Sequence, residues 1–243
     1  MVFKRIFDAL SGGEKPGAKM KPSHPEGQGQ DHGNVSPKKG AGIPGSPALF
    51  EAFTRNYTPD PVRSDTPDAS VQLTADATGW NEFFAAFSGC SFNNGLYRTH
   101  SSAGIENWNE IVASFFPAYA NTILCFGYDW LGRQFALDMK RTEAGEPLVL
   151  MFDPIEFIAL EIPSNFVRFH EFELLTHQTE CLAPEYYEEW LDAGNTPLLH
   201  DQCAGFKVPL FLGGKDEVAN LEPSDMEVNW VIHGQIMQQI RGG

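Results

Sequence analysis

Two pairs of residues have the types and spacing of metal ligands, His177-x-x-x-Cys181 and His200-x-x-Cys203. An imidazole and a thiolate at short spacing, repeated across an intervening loop, is the donor set that zinc favours. The spacings differ from those of a standard finger, and lone cysteines more often serve as small buried hydrophobes. These four residues carry an alternative reading, a zinc protein or metal-using enzyme. The main reading assigns no metal and no cofactor. Nucleophilic chemistry has less to stand on. No G-x-S-x-G elbow occurs. Cys90 has only His100 near it in sequence, and nothing aims that imidazole at the thiol. Gly213-Gly214-Lys215-Asp216 has the letters of a phosphate loop without the spacing or the final Ser or Thr. Asp216 would repel a phosphate there, so the run reads as a tight turn in which glycine supplies positive φ. With no catalytic set, the chain reads as a non-enzyme.

Charge carries more information. The 243 residues hold 17 Lys and Arg against 32 Asp and Glu, a net −15. Residues 1–46 hold seven bases and four acids, and the remainder holds ten bases and 28 acids, a net −18. A globular part this acidic excludes direct binding to a nucleic-acid backbone, which needs Lys and Arg. It suits a basic protein partner that its field would steer. Glu185, Glu188, Glu189 and Asp192 share a helical stretch with Tyr187 and Trp190, a candidate contact face with aromatic anchors. The competing reading puts Tyr186 or Tyr187 and Trp190 in the core and leaves the acids as the solvated side. Asp129, Trp130 and Arg133 bracket a hairpin turn and form a second contact set, expected on an exposed hairpin.

The elements that must position these residues follow from periodicity. Residues 1–11 form a short amphipathic helix with Val2, Phe3, Ile6, Phe7 and Leu10 on one side, able to dock on a partner, a membrane surface or its own domain, or else a frayed end. Residues 12–46 lack any aromatic and read as a disordered linker. A single α+β domain is expected over 47–243. Helices are predicted at 48–56, at 80–88 with Thr78 as cap, at 105–116, 166–177 and 184–193. Strands are predicted at 122–126, 133–139, 147–152 and 156–162, an antiparallel meander packed with helices. Residues 226–241 read as helix, with a start that fits strand or helix. No run approaches the ~18 apolar residues of a membrane span, and residues 1–5 lack a secretory signal. A cytoplasmic protein is the expectation.

Several runs together carry a family resemblance: GLYRTH at 95–100, FGYDWLGRQFALD at 126–138, MFDP at 151–154, FHEFEL at 169–174 and QCAGFKVPLFLGGKDEVANLEPSDMEVNW at 202–230. Over residues 80–241 the chain resembles the C-terminal domain of type VI secretion immunity proteins of the Tdi type, and in outline the broader SUKH immunity superfamily. The resemblance implies a non-catalytic protein that binds and neutralises a cognate toxin, often a nuclease, delivered between bacteria. A preceding GAD-like domain, frequent in that family, finds no match in residues 47–79.

Overall fold

The computed structural model describes residues 48–61 and 75–242. The expected helix at 1–11 and linker at 12–46 lie outside the described residues. Six strands, β1 (Ser91–Phe92), β2 (Tyr97–Thr99), β3 (Ile123–Asp129), β4 (Gln134–Glu143), β5 (Glu146–Asp153) and β6 (Ile158–Asn165), pair antiparallel in chain order. Short turns join most successive strands of this meander, and the helix at Ile105–Phe115 lies in the β2–β3 connection. The α+β architecture expected from the sequence is the one observed.

Among the described residues, seven helices surround the sheet, besides four short 3-10 turns. The helices are α1 (Glu51–Asn56), α2 (Trp80–Phe87), α3 (Ile105–Phe115), α4, α5 (Gln178–Leu182), α6 (Pro184–Asp192) and α7 (Met226–Gly242). Helix α4 is continuous over Phe166–Arg168, a π-helical turn at Phe169–Glu173, and Leu174–Thr176. Helices α1, α2 and α4 pack Phe53, Phe83 and Phe169 against Phe126, Phe135, Val149 and Met151 on one face of the sheet. Helices α3 and α7 pack Trp108, Val112 and Trp230 against Cys125, Ala136, Leu150 and Phe152 on the other. Successive strand residues point to opposite faces. With both faces covered, β4 and β5 are apolar at consecutive positions rather than at alternate ones.

The structure departs from the sequence reading in three places and settles one ambiguity. Residues 91–99, given no strand from the sequence, form the β1–β2 hairpin, closed by Asn93 (φ 53°), Asn94 (φ 62°) and Gly95 (φ 94°). A second, two-stranded sheet joins β7 (Gln202–Phe206) to β8 (Leu221–Asp225) across a long loop. Thr78 does not cap α2, whose cap residue is Gly79. Thr78 instead gives its N–H and hydroxyl to the Glu146 carboxylate, at 3.0 and 2.5 Å. The ambiguous start of the last helix resolves at Asp225, which ends β8 and accepts the Val228 N–H at 2.8 Å, an N-terminal cap.

Candidate functional site

The turn between β3 and β4 is interior, not exposed. Asp129, Trp130 and Arg133 are each 0% accessible, which corrects their expected role as surface contacts. Asp129 Oδ1 accepts the N–H groups of Leu131 and Arg133 at 3.0 and 2.9 Å, and its Oδ2 accepts Arg133 Nε–H at 2.6 Å. Arg133 Nη2 donates onward to the Cys181 carbonyl at 2.9 Å, and Trp130 Nε1 to the Leu182 carbonyl at 2.9 Å. The turn therefore clamps α5 to the sheet. Gly132 makes the turn possible, with φ 80° and only 3.1 Å between a notional Cβ and Cys203 Cβ. Burial raises the Asp129 carboxyl above its usual range, against the pull of Arg133. Asp153 at the end of β5 is raised for the same reason, and it too faces the Arg133 charge.

The other runs behind the family resemblance are also cross-links. Arg98 is buried and gives Nη1 to the carbonyls of Leu199 and Gln202, both at 2.7 Å, and Nη2 to that of Asp129 at 3.1 Å. His170 lies in the π-helical turn and joins the Tyr97 hydroxyl at 2.9 Å to the Phe166 carbonyl at 2.9 Å. Burial lowers its pKa to about 3, so the ring is neutral. Glu171 reaches the N–H groups of Ala52 and Phe53 at 3.2 and 2.9 Å, capping the first turn of α1. Sequence reasoning assigned no role to Arg98, His170 or Glu171, because each partner lies far along the chain. The π turn, common where a helix is bent to serve a site, leaves no one-residue signature.

The metal set does not assemble. His177 Nδ1 pairs with Glu173 Oε2 at 2.6 Å, and His200 Nδ1 with the Tyr128 hydroxyl at 2.5 Å. Cys181 and Cys203 are buried, and burial pushes both thiols up to about 12. Among the described residues no group of three or more His, Cys, Asp or Glu is placed to hold a metal ion.

Helix α6 separates its two faces cleanly. Pro184 opens it and Tyr186, Tyr187 and Trp190 are buried, at 3%, 3% and 0% accessible. Trp130 packs on all three rings, with centroids 5.0 to 6.5 Å away. Tyr187 also donates to the Asn94 carbonyl at 2.5 Å. Tyr187 and Trp190 are thus core residues and not surface anchors. Glu185, Glu188, Glu189 and Asp192 are exposed together on the opposite side. The turn at 213–217 adds to this face. Gly213 adopts φ 88°, as a tight turn requires. Burial raises the Tyr186 hydroxyl, and the charges of Asp216, Glu189 and Glu217 raise it further. Carboxylates from two distant segments therefore converge on one tyrosine.

Among the described residues no helix is long and apolar enough to cross a membrane. No curated protein matches the chain. Among solved structures, the crystal structure of Atu4351 from Agrobacterium tumefaciens is similar, with a TM-score of 0.56 at 15% identity over 76% of this chain and 88% of that one. At that identity the likeness is one of fold. The family model described as T6SS immunity protein Tdi1, C-terminal, matches residues 168–237, a narrower span than the 80–241 of the resemblance. From α4 to α7, therefore, the chain is similar to the C-terminal domain of the Tdi1 type VI immunity proteins.

Proposed function

We propose that this protein is a non-catalytic, cytoplasmic immunity protein that neutralises a cognate type VI effector by stoichiometric binding. The match of residues 168–237 to an immunity family carries this reading. The surface supports it: within that span the solvent face of α6 presents Glu185, Glu188, Glu189 and Asp192, with Asp216 and Glu217 beside them. A basic, nuclease-like effector fits the charge, since a field of one sign steers an oppositely charged partner and suppresses like-charged ones. Residues 47–243 act as one domain in this reading, with the buried clamps holding the acidic face rigid.

The test is capture of tagged protein from its native cytosol at low and high salt, with identification by mass spectrometry. One basic partner at one-to-one ratio, released more easily at high salt, supports the reading. Absence of any partner in cells that produce type VI effectors ends it.

A further inference from the structure

A cleft of about 250 Å³ lies where the β2–β3 edge meets the start of α7. Its floor is aromatic. The His100 ring stacks between Trp108 and Tyr128, at centroid distances of 5.4 and 4.7 Å and interplanar angles of 23° and 28°. Its rim carries the exposed carboxylates Asp201, Asp225 and Glu227, and neither Lys nor Arg lines it. Burial lowers His100 to about 3 and His200 to about 4, so both rings are neutral at pH 7 and leave the rim anionic. Arg98 sits beneath Tyr128 with its guanidinium 4.6 Å from the ring centroid, already committed to three backbone carbonyls.

This chemistry selects a cation with a flat face. The faces of His100 and Tyr128 are taken by Trp108, by each other and by Arg98, so the anionic rim does the selecting: a guanidinium, unlike an ammonium, pairs with carboxylates at two points. The volume falls below the ~300–1,000 Å³ of pockets for free small molecules, and it matches one long side chain. A metal ion is not the occupant, since no group of ligands among the described residues is placed to hold one.

We propose that the cleft receives a guanidinium side chain from the protein partner. The inference rests on the immunity reading and extends it to a second contact, apart from the α6 face. Three of the family-like runs meet here through His100, Tyr128 and the 225–227 segment, so the scaffold residues also shape a recognition pocket.

The probe is N-acetyl-arginine methylamide, titrated into the full chain while the ring signals of His100 and Trp108 are followed by NMR. Its neutral citrulline isostere serves as control. Saturable shifts with the arginine probe alone are expected. They should weaken about tenfold in the double variant Asp201→Asn, Glu227→Gln, which spares the Asp225 cap. Equal response to citrulline, or shifts that do not saturate or that ignore the double variant, overturn the proposal. A second arm compares native and double-variant protein for binding to the captured partner. Undiminished binding by the variant overturns the cleft's role and leaves the immunity reading standing. Failure of the native protein to capture any partner strikes the immunity reading itself, whatever the arginine probe shows.

Discussion

Arg133 is fully buried, so its charge must be compensated by protein partners rather than by water. Asp129 supplies one carboxylate at 2.6 Å and Cys181 one carbonyl. Removing one member of a buried ion pair leaves an uncompensated charge, which costs ~3–5 kcal/mol. Asp129→Ala should lose about that much stability in urea unfolding, with α5 the region most affected. The buried histidines set a second residue-scale expectation. His100 and His170 fall to about 3 and His200 to about 4, all through burial. Their folded pKa values lie below the ordinary ~6.5 of a free ring. Their contribution is therefore complete above that value and is lost as pH falls through it toward 4. Each ring takes up a proton on unfolding in that window, so each contributes a slope of up to ~1.4 kcal/mol per pH unit. Asp129 and Asp153 have the opposite sign. Their carboxyls are raised, so their contribution is present at low pH and is lost as pH rises through the folded values. Urea midpoints from pH 4 to 7 should therefore rise with pH, and a flat profile would count against neutral buried histidines.

At the scale of elements, the helices are held by a few long-range contacts. Glu171 caps α1 from across the fold, and losing a cap costs ~0.5–2 kcal/mol. Glu171→Ala should speed hydrogen exchange at Ala52 and Phe53 before it affects the sheet. Helix α7 crosses α3 at Gly234, where a Cβ would lie 2.2 Å from the Phe115 ring. Alanine there gains ~1 kcal/mol of helix propensity, while overpacking costs ~1–3 kcal/mol. The steric cost should win, and Gly234→Ala should lower the melting temperature. The helices themselves were readable from the 3–4 spacing of Trp80, Phe83, Phe84 and Phe87, and from Pro184 opening α6. The β1–β2 hairpin was not, because two- and three-residue strands are too short to show alternation. Its one cue was the Asn93-Asn94-Gly95 run, whose residues tolerate positive φ.

For the whole molecule, the proposed function rests on the negative charge gathered on one helix face. Replacing Glu185, Glu188, Glu189 and Asp192 by their amides should leave the fold intact, since all four are exposed. It should slow association with a basic partner and flatten the salt dependence of the on-rate. Stopped-flow binding at two salt concentrations would show it; an unchanged rate would place the contact elsewhere.

The sequence alone determined the α+β class, the meander and the acidic balance. Those follow from local periodicity and composition, which any window of the chain displays. It also brought out the runs that resemble those of the immunity family, over part of which the family model matches. Only the tertiary structure decided what those runs do. Asp129, Trp130 and Arg133 looked like turn residues open to solvent, yet α5 and α6 cover them. Tyr187 and Trp190 looked like anchors as much as core, yet Trp130 packs on both rings. The zinc-like pairs dissolved into separate hydrogen bonds. In each case burial settled the role, and burial depends on which distant elements pack on a residue, a quantity that sequence spacing does not contain.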